Sequence, residues 1–464
     1  MANKNILTNQ SKAVQVQELY YSPSAVVPPA INTPVGTIYC FLSKVDPWVD
    51  DNDPPQPTGD VSYLKQTFKN MFAAKIVHTS DISPVIERID WSSGEIYSYY
   101  RDDVDMTEKD ANGMNAYYFY VKNKYDQVFK CLWNNNGGES TDEPYFEPGS
   151  YSTNGIYLGP NDGYKWKFMY TIDTGLKVKF MDDSWMPVAV GYNTPNPLFD
   201  YRTQSAPSAG YGSLEVINVT NSGHGYDIAN VPITVTITGD GSGASGTAVA
   251  NTNGFLTDIL VTNAGSNYTF ATISISSSQG SGAIANAPTS PIGGHGFDPI
   301  SELGSTHAMI TTEFNATENG VLPTTIDYHQ IGLMINPTTY TNPSVPANGE
   351  IYRTTTDVVV ASGFGEFTND EYVYQGTSLE TATFTGRVLT FNTSTNVLYL
   401  INTVGTITTN SPIVGSTSTT TRTLLSSSTG ELSPFSGYIV YIENRAAIQR
   451  SVDGIEQFRF VLGY

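Results

Sequence analysis

The stretch "VTNSGHGY" (Val219 to Tyr226) returns as "VTNAGSNY" (Val261 to Tyr268), 42 positions later. Leu214, Ile217, Val219 and Tyr226 come back as Leu256, Ile259, Val261 and Tyr268, and "GSGA" occurs at Gly241 and again at Gly280. Each copy reads as a strand, an Asn-x-Gly turn suited to positive φ, an aromatic residue and a second strand. A repeat too short to bury a face alone stacks on its neighbour. The pair therefore predicts one small β module over residues 208–290, of ordinary domain size.

The composition around it agrees. Charged residues make up 14% of the 464 residues, well below the ~25% of an ordinary soluble domain. Ser, Thr, Asn, Gly and Tyr take their place, giving strand formers and turn formers in short alternation. With 44 acids against 23 bases, the chain is a poor nonspecific partner for nucleic acid. No stretch of ~18 apolar residues is present, so no membrane span is expected, and the N-terminus shows no signal-peptide pattern. Cys40 and Cys131 sit among apolar neighbours and are expected to be buried, reduced thiols.

Along the chain, "QSKAVQVQELYYS" places Ala13, Val16, Leu19 and Tyr20 on one side of a short helix. Val35 to Val45 reads as a buried strand, followed by a Pro-rich loop from Asp46 to Asp60. Leu64, Phe68, Met71, Phe72 and Lys75 fall at helical spacing, which predicts a helix over Ser62 to His78, capped by Asp60 or Ser62. Ala116 to Asn135 holds two strand runs around a charged turn. Asn161 to Ile172 alternates large and polar residues, as a strand with one buried face would. Residues 348–430 alternate in a second Ser/Thr-rich region and suggest another small barrel or sandwich. The last 34 residues, 431–464, contain two alternating runs that read as strands.

Five blocks in this order resemble a known family. They are "CFLSKVDPW" with its Pro-rich loop and helix, "VIERIDW", "NDGYKWKFMYTI", "DYHQIGLMINP", and "GYIVYIENRAAIQR" followed by "EQFRFVL". The pattern is similar to the baseplate wedge subunit, gene product eight class, of contractile-tailed bacteriophages of the T-even type. It covers roughly Val35 to Asp200, Pro291 to Pro337 and Gly437 to Tyr464. The most specific block is Tyr441, Ile442, Glu443, Asn444 and Arg445 near the end of the chain.

The resemblance implies a mainly β, β-rich α+β protein. Its β-sandwich scaffold, with few short helices, occupies residues 1–207, 291–347 and 431–464, interrupted by small β modules at 208–290 and 348–430. It implies a homodimer that contacts other baseplate wedge subunits and acts by assembly in the virion tail baseplate, put together in the host cytoplasm. No enzymatic activity, cofactor, nucleic-acid partner or membrane partner is expected. The alternative from composition is a carbohydrate- or receptor-binding tail protein that uses its inserted modules.

Gly241 to Gly246 spells G-x-G-x-x-G, but strand and turn sequence follows where a dinucleotide site needs a helix. Asp46, Asp50, Asp51 and Asp53 lack calcium-loop spacing, and Asp102, Asp103 and Asp105 resemble them. A pair of carboxylates could hydrolyse a glycoside, yet among 44 acids such pairs are uninformative. His78, His224, His295, His307 and His329 form no paired metal motif. No catalytic or metal residue is assigned. Trp91, Trp133 and Trp166 are expected in the core. The candidate interface residues are Trp48, flanked by turn residues, and Glu443, Asn444 and Arg445, which either fix a tight turn or pair across an interface.

Overall fold

The computed structural model describes residues 9–21, 37–111, 115–147, 155–190 and 212–464. Of these, 43% lie in strands and 8% in helices, so the protein is mainly β. It divides into two compact units, one built from Met1–Gln17, Ser83–Met309 and Val461–Tyr464, the other from Glu18–Ile82 and Ile310–Phe460. This division cuts across the linear segments 1–207, 291–347 and 431–464, each of which contributes to both units.

The first unit is organised on an antiparallel sheet in the order Tyr120–Lys122, Gln127–Trp133, Lys165–Thr171 and Ile156–Leu158. One face carries Val121, Phe129, Cys131, Trp166 and Phe168 into an aromatic core. The opposite face carries Val128 and Met169 into a second core. The strand expected to have one buried face is therefore buried on both, and its polar positions, Lys165 and Lys167, lie inside.

The repeat forms three two-stranded ribbons with a common core that includes Leu214, Ile217, Tyr226, Leu256, Ile259 and Tyr268. Strand Asn218–His224 of the first copy pairs with Ser281–Asn286 of the second. Strand Leu256–Asn263 of the second pairs with Ser245–Ala250 of the first. Thr234–Gly239 and Ala271–Ser276 pair with each other. The copies thus exchange strands about a local two-fold relation, which is closer than stacking: each supplies the hydrogen-bonding edge the other lacks.

The turns explain why the repeated residues recur. The Asn221 carboxamide accepts from Gly223 N at 2.9 Å, and Asn263 accepts from Gly265 N at 2.9 Å. Both glycines have positive φ, 57° and 62°. A Cβ on Gly223 would lie 2.5 Å from Ala283 N, and one on Gly265 would lie 2.5 Å from Ala244 N. Glycine is required there by conformation and by space together.

In the second unit an antiparallel sheet runs in the order Ile351–Arg353, Met71–Val77, Ile38–Ser43, Asp327–Ile335 and Tyr438–Gln449. The helix before it spans Val61–Asn70 only, with Asp60 capping it through Tyr63 N. Met71 begins a buried strand, so the helix expected to reach His78 ends eight residues early. Met71 and Phe72 suit either period; the run Met71–Val77 pairs with Ile38–Ser43, and that tertiary pairing decides. The N-terminal helix Asn9–Tyr21 buries Ala13, Val16 and Leu19 as its spacing indicates.

Residues 356–428 close into a six-stranded barrel, in the order Thr356–Val360, Val397–Gly405, Phe384–Asn392, Tyr372–Gln375, Pro412–Gly415 and Thr421–Ser428. Val358, Val373, Val388, Leu398, Leu400 and Leu424 fill it. Closure removes every strand edge. Within the same unit, Arg387 pairs with Asp370 of the barrel segment at 2.6 Å and reaches out of the barrel to Asp46 at 2.9 Å. The buried Lys44 ammonium pairs with Asp370 at 3.1 Å and with Asp327.

Candidate functional site

Two arrangements of polar side chains stand out. The first gathers the four candidate interface residues. Strand Tyr438–Gln449 is the edge strand of its sheet and is twelve residues long. Glu443, Asn444 and Arg445 lie in its middle, not in a turn between strands, which corrects the turn reading. The tight connection falls instead at residues 450–454.

The Trp48 indole N–H donates to the Arg445 carbonyl at 2.8 Å, so the Pro-rich loop occupies this backbone acceptor. The Asn444 side chain donates to the Pro55 carbonyl at 2.7 Å and bonds Tyr63 Oη and Gln330. The Arg445 guanidinium donates to the Glu443 carboxylate at 2.8 Å. All four residues are half-buried. Their first role is internal: they lay a proline-bearing loop along an exposed strand edge, a common protection against unwanted pairing. Tyr438 and Val440, at the start of the same strand, stay exposed.

The second arrangement escaped the sequence reading. Lys130 and Lys167 are register partners on neighbouring strands, and both are fully buried. Like charges directly opposite each other destabilise a sheet. Here each has its own carboxylate: Lys130 Nζ is 2.8 Å from Glu302, and Lys167 Nζ is 3.1 Å from Glu215. Lys165 Nζ lies 2.7 Å from Asp258 and donates to the Ile217 carbonyl at 2.8 Å.

His295 joins the two pairs. Its backbone N–H donates to Glu215 at 2.6 Å, and its Nδ1 lies 3.1 Å from Lys130 Nζ. Burial, reinforced by Lys130, lowers the His295 pKa, so the ring stays neutral and accepts from the ammonium. The Lys130 ammonium also sits 4.3 Å over the Tyr100 ring. Burial alone would raise the Glu302 carboxyl; the Lys130 ammonium beside it is the main opposing group, and the carboxyl is held at about 2. Glu302 also accepts from the backbone of Gly296 and Asp298. The layer docks the repeat module and the 291–304 segment on the sheet through matched charges. Local signal was limited to lysines alternating with large residues, a pattern that also describes a solvated face.

The remaining candidates do not converge. Asp46 pairs with Arg387, Asp50 caps its own loop at Asn52, and Asp51 lies 3.8 Å from His329. Asp102 holds Thr289, Asp103 pairs with Arg101, and Asp105 binds Thr107. Among the described residues no group of three or more metal-ligating side chains gathers, and no helix is long and apolar enough to cross a membrane. The segment after Gly241 is a strand, Ser245–Ala250, without the helix a dinucleotide would need. Cys40 and Cys131 are buried free thiols, and burial raises both. Trp133 and Trp166 lie in the core, and Trp91 is half-buried against it with its indole on Ser140. No protein-family model matches the chain, and no curated protein matches it closely enough to indicate kinship.

Proposed function

We propose that this chain is a structural subunit of a phage tail baseplate wedge, working by assembly with copies of itself and with other wedge proteins. The supporting observation is the edge strand Tyr438–Gln449. It carries the block most specific to the resemblance, and its exposed end offers Tyr438 and Val440 beside a strand edge. Tyrosine and aliphatic groups on a rigid sheet suit a protein interface. The mainly β build agrees with the β-rich protein that the resemblance implies.

The test is light scattering on the purified chain at micromolar concentration, with electron microscopy of tails. A dimer and density at the baseplate are expected. A chain that stays monomeric and is absent from the tail tip would sink the reading.

A further inference from the structure

A second surface, in the first unit, has the build of a ligand cleft. It has a volume of about 550 Å³ and is lined by Tyr99, Arg101, Asp103, Phe270 and Thr289, among others. Phe270 projects from the repeat module and is 58% exposed, a large apolar ring in a mostly polar setting. Asp240 fixes its position by accepting from Thr269 N at 2.9 Å and Thr269 Oγ1 at 2.5 Å. Thr289, another lining residue, is pinned by Asp102, which accepts from Thr289 N and Oγ1, both at 2.8 Å. The Arg101 guanidinium, also in the lining, meets Asp103 side-on at 3.0 and 2.8 Å, and both side chains are exposed.

We infer that this cleft binds a neutral oligosaccharide. The exposed ring offers a negative π face to the weakly positive C–H face of a pyranose. The planar Arg101–Asp103 pair presents donors and acceptors together, as vicinal hydroxyls require. Every charge in the cleft is matched except that of Asp102, which is already held by Thr289, so no free cation invites an anionic sugar. A polar, open cleft whose lining includes Tyr99, Tyr100 and the exposed Phe270 fits a chain of hydroxyl-rich rings better than an apolar peptide anchor, which seeks a deep pocket. The site is composite: the repeat module supplies Phe270, and the segment before the four-stranded sheet supplies Arg101 and Asp103. It requires neither a dimer nor a tail, and so stands apart from the assembly reading.

The experiment is saturation-transfer NMR and calorimetry on the full chain with maltohexaose, cellohexaose and chitohexaose, and with sialyllactose as the anionic control. At least one neutral hexaose is expected to bind with Kd of about 1 mM or tighter. Phe270→Ala is expected to weaken it by about tenfold, and Arg101→Ala combined with Asp103→Ala by a similar factor. Phe364→Ala removes a fully exposed aromatic ring on the other unit and leaves binding unchanged. Silence with all three neutral sugars, binding indifferent to Phe270→Ala, or preference for sialyllactose overturns the inference. Capture of a protein partner that depends on Phe270 while the sugars stay silent overturns it as well.

Discussion

Ile217 and Ile259, which occupy the same place in the two copies of the repeat, face each other across an isolated antiparallel bridge. Equivalent residues meet only where a two-fold relation passes between them. Around that point each copy borrows a strand from the other, and Tyr226 and Tyr268 accept in parallel fashion from Ala283 N at 3.2 Å and Ala244 N at 3.4 Å.

Because the two turns are equivalent, their glycines are equivalent targets. Gly223→Ala and Gly265→Ala each force a Cβ onto a backbone nitrogen at positive φ. Each is expected to destabilise the module by about 1–3 kcal/mol, with similar size for the two. Urea unfolding followed by proteolysis of the module checks this. A neutral result at either turn contradicts the two-fold account.

The buried lysine layer predicts an asymmetric mutational response. Lys130→Met leaves Glu302 buried without its main partner and is expected to cost about 3–5 kcal/mol. Lys130→Met combined with Glu302→Leu removes both charges and is expected to recover much of that loss. A double-mutant cycle in urea measures the coupling.

Acid stability follows from three groups in the first unit, His307, His295 and Glu302. His307 is lowered to about 4 by burial, with Lys109 and Lys12 adding to it. Below its unfolded value of ~6.5 the unfolded chain takes up the proton first, so stability falls as pH drops from there toward 4. Glu302, held at about 2, adds a second loss that starts near its unfolded value of ~4.3. Urea midpoints measured from pH 8 to 2 should show both limbs, and His307→Gln should shrink the upper one, leaving the share of the buried His295, which burial and Lys130 lower in the same direction.

Trp48 tests the covered edge. Trp48→Phe keeps most of the ring and loses the hydrogen bond to Arg445, an expected cost of about 0.5–1.5 kcal/mol. Trp48→Ala also frees the Pro-rich loop. Protease cutting between Asp46 and Asp60 should rise, and association should become more dependent on concentration as the strand edge opens. Unchanged cleavage with Trp48→Ala would show that the loop is held by other contacts.

Much of the β organisation could be read locally. The strands at Gln127–Trp133 and Lys165–Thr171, and the two at the C-terminus, follow from alternation. The helix over Ser62 to His78 did not survive because Met71, Phe72 and Ile76 satisfy both periods, and the neighbouring strand Ile38–Ser43 claims them. Trp48, Glu443, Asn444 and Arg445 were legible as candidates, but not their mutual contact: Trp48 and Arg445 lie 397 positions apart and meet only through the sheet.

By itself the sequence determined a β-rich chain with a duplicated module whose glycines must occupy positive-φ turns, because backbone sterics and a two-residue side-chain period act over a few neighbours. Tertiary structure alone decided that Lys130, Lys165 and Lys167 lie inside. A charge is tolerated in the interior only when a distant segment brings the opposite charge to it, and Glu302, Asp258 and Glu215 arrive from elsewhere in the chain.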